Sequence, residues 1–217
     1  DHGAQVRPYF IKTAFQPQFE LEDARRLCAQ QGEELTVLEL DVLQIPGVVE
    51  NPPDRCYHCK RALFGRLRQQ AQADGYTVLI DGTNASDDAG DRPGMRALRE
   101  LSVRSPLREC GLTKAEIRRL SREAGLFTWD KPAYACLATR IRTGEEITLQ
   151  KLKQTEKAEG FLFGLGYRDF RVRMVSNTAK LELRETDLPL LLENREKIVT
   201  ELRKDYDSVL LNLEVRK

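Results

Sequence analysis

The sequence predicts an α/β protein, with a parallel, doubly wound sheet over residues 1–143 and a small α+β domain over 144–217. Three observations predict it. Apolar runs alternate with helical patterns that close on glycines in the earlier part of the chain. One such run ends at Asp81-Gly82-Thr83-Asn84, and in open parallel sheets ligands sit off the carboxyl ends of strands. After about Gly144 the order becomes helix, strand, strand, helix, strand.

Val6 to Ile11 reads as a short apolar-aromatic strand. Gln18 to Gln31 carries Phe19, Leu21, Ala24, Leu27 and Cys28 near helical spacing, and Gly32 ends that helix. Leu35 to Leu40 is a second strand, followed by a loop through Pro46, Pro52 and Pro53. A helix from about Cys59 to Ala73 closes at Gly75, and Thr77 to Ile80 is a third strand. Asp87, Asp88, Asp91 and Glu100 mark an acidic loop, suited either to magnesium or to simple solvation. Thr113-Lys114-Ala115-Glu116 is a capping box, opening a helix that stops at Gly125. Beyond the boundary, Thr148 caps a helix to Gly164. Phe170–Met174 and Thr178–Leu183 alternate as strands about a Ser176-Asn177 turn. Asp187–Arg203 is a helix and Ser208–Leu213 a last strand.

Hydrophobic residues make up 41% and charged residues 32%, which suits a globular protein with its own core. A net charge of +1 gives no global field for nucleic acid or a membrane, so any anion binding is local. No apolar run reaches the roughly 20 residues of a membrane span. The opening residues carry no signal pattern, and a cytoplasmic location is expected. Five cysteines, an odd count, argue against a disulfide framework. Each thiol is then either packing or chemistry.

Cys56-Tyr57-His58-Cys59 is a CxxC at the start of a helix, where the helix N-terminus favours thiolates. It admits a zinc half-site, a chance pair, a redox pair or two ligands of one soft metal. Cys136 lies in a loop of small residues flanked by Arg140 and Arg142, as a nucleophilic thiolate or a small buried cysteine. Cys28 and Cys110 read as packing, and His58 as a polar neighbour of the cysteine loop. Arg171 and Arg173 share one strand face, as an anion clamp or as a solvated face with ion pairs. Lys114, in the first turn of its helix, could reach a pyrophosphate or stand exposed.

Taken in order, these motifs resemble the LarE sulfur transferases of the PP-loop ATP pyrophosphatase group. They are Leu79 to Asn84, Asp91-Arg92-Pro93-Gly94, Ser105-Pro106-Leu107, Leu112-Thr113-Lys114 and Lys131-Pro132 through Cys136 to Arg140. The resemblance covers nearly the whole chain. It implies an ATP-dependent enzyme, with Mg2+, that adenylates a carboxylate of pyridinium-3,5-biscarboxylate mononucleotide and converts it to a thiocarboxylate for the nickel-pincer nucleotide. Some members sacrifice a cysteine at the Cys136 position, leaving dehydroalanine. Others hold a [4Fe-4S] cluster on three cysteines, which here would be Cys56, Cys59 and Cys136. Three protein ligands leave one iron open to carry sulfide. The resemblance also implies roles for Lys60 and Glu159 near the reacting centre, and for Arg140, Arg171 and Arg173 in substrate binding. Asp81, Gly82, Thr83, Asn84 and Lys114 would face ATP. A small-molecule pyridinium nucleotide partner and a homo-oligomer are expected.

The family's SGGxDS phosphate loop is not in this sequence. Either the numbering starts downstream of it or the copy is degenerate. The opening residues, which read like the tail of an element leading into a strand, favour the first. Three rivals remain at this point: a PP-loop tRNA thiolase, a zinc-stabilised binding module and a redox protein using the Cys56/Cys59 pair.

Overall fold

A computed structural model describes residues 3–87 and 92–216. The chain is α/β and divides into two compact units. The first takes Asp1–Thr13, Gln18–Val48 and Pro52–Lys131, and the second Ala14–Pro17, Val49–Asn51 and Pro132–Lys217.

In the first unit β1 (Tyr9–Lys12) and β2 (Thr36–Glu39) pair in parallel, with Tyr9 opposite Thr36. The connection between them is α1 (Gln18–Gln30), the crossover a parallel pair requires. Ile11, Leu21 and Leu38 from these elements are buried. The next helix, α2 (Arg55–Ala73), starts earlier than the Cys59 expected from the apolar pattern. Helical bonding begins directly after the proline pair, with Arg55 N donating to Pro52 O at 3.0 Å and Tyr57 N to Asp54 O at 2.8 Å. Tyr9 donates its hydroxyl to Asp74 at 2.7 Å, fastening β1 to the end of α2.

The third strand expected at Thr77–Ile80 is reduced to a single parallel bridge between Ile80 and Arg104. Among the described residues, Asp81 N to Arg104 O and Arg104 N to Leu79 O, both 2.9 Å, tie the segment down. Val78 and Ile80 are more than half exposed. A strand needs a ladder of partners, and among the described residues this segment has one bridge.

The acidic loop also needs correction. Pro93–Glu100 forms α3, which packs on α2 and buries Ala97 and Leu98. Pro93 lies in the first turn, where its fixed φ and missing donor cost nothing. Asp88 and Asp91 lie outside the described residues. After α4, a single turn at Pro106–Glu109, comes α5 (Lys114–Glu123). Its capping box is formed: Thr113 Oγ1 accepts from Glu116 N, and Glu116 accepts from Thr113 N at 2.8 Å. The Thr113 hydroxyl and amide hold the Glu116 carboxyl below its usual pKa.

The second unit follows the expected order: α6 (Leu149–Gly164), β3 (Arg171–Val175), β4 (Thr178–Glu182), α7 (Leu188–Leu202) and β5 (Ser208–Leu211). The sheet order is β3-β4-β5, antiparallel for the first pair and parallel for the second. Thr148 caps α6 by accepting from Lys151 N at 3.2 Å. One cluster, including Leu162, Phe170, Val172, Leu181 and Ile198, packs the helices onto the sheet. Two short earlier segments join this unit. Leu137 N donates to Phe15 O at 2.9 Å, and Asn51 donates its side-chain amide to Arg142 O at 2.8 Å.

Candidate active site

In the first unit, Cys56 lies in the first turn of α2 and Cys59 opens the next, three residues apart and so on neighbouring positions of one face. Cys56 is exposed and Cys59 half-buried. The Arg55 guanidinium stands 3.5 Å from the Cys56 sulfur. The turn between the thiols is braced. Tyr57 donates to Glu100 at 2.7 Å, and the Arg96 guanidinium lies 4.0 Å from the centre of its ring. His58 meets Asp54 at 3.3 Å. Gly47 has φ +76, and a Cβ there would come within 3.0 Å of the His58 ring, so the loop before α2 presses on the imidazole. Lys60 lies across Gly94, where a Cβ would come within 3.2 Å of its stem.

The expected ATP residues form one knot in the same unit. Asp81 accepts from Ser105 Oγ at 2.6 Å, Thr83 Oγ1 at 2.6 Å and Thr83 N at 3.2 Å. Asn84 Oδ1 accepts from Ser86 N at 3.0 Å, and Ser86 Oγ accepts from Lys114 N at 3.0 Å. The loop holding Asp81, Gly82, Thr83 and Asn84 is thereby fixed against the N-terminus of α5, beside Lys114.

In the second unit, Cys136 is half-buried and precedes a short 3-10 turn, Leu137–Arg140. Its carbonyl accepts from Thr139 N at 3.0 Å and Thr139 Oγ1 at 2.8 Å. Arg140 and Glu159 are each 1% exposed and form a two-pronged ion pair, Nε to Oε1 at 2.8 Å and Nη2 to Oε2 at 3.0 Å. Glu159 also accepts from Val172 N at 2.9 Å and from the Tyr134 hydroxyl. Each of its oxygens therefore takes two hydrogen bonds, which is what makes a buried carboxylate tolerable. Burial works against the Arg140 charge, but the hydrogen bonds and charge of Glu159 outweigh it and raise the pKa. Burial, then the Glu159 charge, pushes the Tyr134 hydroxyl far above its ordinary value, so it remains a donor.

The remaining arginines turn toward the same segment. Arg171 donates to Ala133 O and Phe170 O, both at 2.6 Å, and Arg140 Nη1 donates to Ala135 O at 3.0 Å. Burial first, then the neighbouring Arg140 and Arg216 cations, draw the Arg171 pKa down. Arg173 donates to Glu182 at 2.7 Å and Thr139 O at 2.6 Å, with its side chain 41% exposed. The expected residues Cys136, Arg140, Glu159, Arg171 and Arg173 thus come together in this unit. Sequence reasoning passed over Tyr134 and Thr139. The signal for Tyr134 was its place as the sole aromatic residue between Lys131 and Arg140, two positions before the thiol.

All five cysteines are thiols. Cys28 is half-buried, and burial with the Glu33 charge raises its pKa, in keeping with packing. Cys110, read as packing, is instead exposed, because it follows the single turn α4 at its end. Among the described residues, no group of three or more His, Cys, Asp or Glu stands together as a ready metal site. Cys56 and Cys59 in the first unit, and Cys136 in the second, are each reduced thiols, a ligand type that iron–sulfur clusters take. Among the described residues no helix is long and apolar enough to cross a membrane.

Comparison with known proteins adds three relatives, and no protein-family model matches the chain. An uncharacterised protein of Synechocystis sp., slr1717, is 42% identical over 76% of this chain and 61% of its own length. An uncharacterised protein of Methanocaldococcus jannaschii, MJ0830, is 33% identical over 95% of this chain and 79% of its own. The pyridinium-3,5-bisthiocarboxylic acid mononucleotide synthase of Lactiplantibacillus plantarum is 32% identical over 76% of this chain and 60% of its own. The chain spans about three-fifths of the length of the first and third of these.

Proposed function

Because the chain belongs to the family that includes MJ0830, and resembles the Lactiplantibacillus synthase, we propose that it is an ATP-dependent sulfur transferase of the LarE type. It would convert a carboxylate of a pyridinium mononucleotide to a thiocarboxylate. One observation carries the reading: the loop of Cys136 is held at the Ala133 and Ala135 carbonyls by buried arginines, with Glu159 locking one of them. A thiol so fixed is suited to meeting a positioned substrate rather than to filling a core.

The chemistry divides into two steps. The carboxylate oxygen attacks the α-phosphorus of ATP, and pyrophosphate leaves, giving an acyl adenylate. A sulfur nucleophile then attacks the acyl carbon, and AMP leaves with the C–O bond electrons. Asp81, Gly82, Thr83, Asn84 and Lys114 are proposed on the ATP side, with Mg2+ on its phosphates. The exposed part of Arg173 is proposed to take the substrate phosphate, while Arg140, Arg171 and Glu159 hold the thiol loop. Lys60 is proposed beside the Cys56/Cys59 turn. Cys56, Cys59 and Cys136 would hold a [4Fe-4S] cluster, which when bound supplies an open iron for sulfide.

The test is iron, sulfide and absorbance of anaerobically reconstituted protein. The reading expects stoichiometric iron and sulfide, with the charge-transfer absorbance lost on replacing Cys56, Cys59 or Cys136 with Ala. A full cluster in all three variants, or stoichiometric zinc without iron in the parent protein, overturns the cluster assignment.

A further inference from the structure

We propose that Tyr134 is the positioning residue of the Cys136 thiol, acting through its hydroxyl on Glu159 and its ring beneath Arg140 and Arg171. The segment from Pro132 to Cys136 belongs to no helix or strand, so no backbone ladder fixes the thiol. Its anchors are carbonyls instead. Ala133 O is held by Arg171 and Ala135 O by Arg140. Tyr134 stands between these two anchors in sequence and touches both of the groups that hold them. The Arg140 guanidinium carbon is 4.6 Å from its ring centre, and that of Arg171 is 5.4 Å.

An arginine side chain is rich in rotamers, so two arginine clamps hold a loop only if something holds the arginines. Glu159 does this for Arg140 by the forked ion pair. The Tyr134 hydroxyl donates to the same carboxylate, closing a ring from the loop's side chain, through Glu159 and Arg140, back to the loop's own carbonyl at Ala135. The residue that stabilises the clamp is therefore part of the segment being clamped. Cys136 follows two residues later, with its carbonyl pinned by Thr139. Little backbone freedom is left to swing the sulfur.

The proposal rests on Cys136 being the reacting thiol, but its test needs neither substrate nor cluster. Failure here leaves sulfur transfer untouched, and failure of sulfur transfer leaves the local geometry testable. The reduced, metal-free chain is treated briefly with iodoacetamide, and labelling of each cysteine is quantified by peptide mass spectrometry. Exposed Cys56 is the internal reference. Amide hydrogen exchange of β4 reports opening of the second unit. Tyr134→Phe removes one hydrogen bond, about 1 kcal/mol, and is expected to raise the Cys136-to-Cys56 labelling ratio about five-fold. Tyr134→Leu, which also removes the ring contacts, is expected to raise it further, with β4 exchange unchanged in both. An unchanged or lower ratio in both variants overturns the proposal. So does a rise matched by faster β4 exchange, which would make Tyr134 a general packing residue.

Discussion

Arg173 on β3 donates its Nη1 to the carbonyl oxygen of Thr139 at 2.6 Å, so a strand arginine holds the turn that follows Cys136. Its Nε is occupied by Glu182 at 2.7 Å. The remaining guanidinium nitrogen and the partly exposed tip leave this arginine, of the three around the loop, best placed for an external anion. If the proposed pyridinium nucleotide is the substrate, Arg173→Ala is expected to raise its KM about ten-fold or more, the equivalent of one charge-assisted hydrogen bond. Steady-state kinetics with Arg173→Lys, expected to recover part of the loss, checks it.

Arg140 contributes to stability in a different way. Arg140→Ala would leave the Glu159 carboxylate buried without its forked partner. The expected loss is about 3–5 kcal/mol, read as a lower urea midpoint. Arg140→Lys should recover only part of this, because a point charge cannot reproduce two parallel hydrogen bonds.

Alkaline pH should weaken both units. The hydroxyl of Tyr9 is pushed up to about 12 from 10.0, by burial first and then by its hydrogen bond to Asp74. Burial raises Tyr167 and Tyr206, also to about 12. The folded state binds these protons more tightly than the unfolded state does. Their contribution is therefore complete below pH 10, the unfolded value, and is lost as pH rises through about 12. Urea midpoints followed through this window should fall, and Tyr9→Phe should flatten the part of the decline that belongs to the first unit.

Gly47→Ala combines two costs. The left-handed backbone at φ +76 disfavours a side chain by about 1–2 kcal/mol. The new methyl would also meet the His58 ring at 3.0 Å. Thermal denaturation should show the loss. Thiol labelling should show altered reactivity at Cys56 and Cys59, since His58 lies between them.

What the sequence made legible was local or periodic. The capping box needs only Thr113 and Glu116 three positions apart, and the helix formed where they stand. The strands about Ser176 announced themselves by alternation, and Ser176 takes the positive φ of a tight turn. The α3 helix was hidden because acidic residues and Pro93-Gly94 look like loop chemistry. Its amphipathic stripe, through Ala97 and Leu98, is too short to stand out. The strand expected at Thr77–Ile80 has the right composition, but composition does not supply a partner beyond Arg104. Within the site, spacing placed Arg171 and Arg173 together on β3. It could not show that both would donate to carbonyls distant in sequence. Nor could it show that Glu159, one helical glutamate among several, would be the buried one.

The four bonds on Glu159 also set an order for assembling the site. The carboxylate belongs to α6, but one of its donors is the amide of Val172, made later on the ribosome. A nascent chain that has emerged only as far as α6 has Cys136 and Arg140 but neither Val172 nor the guanidinium of Arg171 that grips Ala133. The clamp on the Cys136 loop is therefore complete only after β3 has been made.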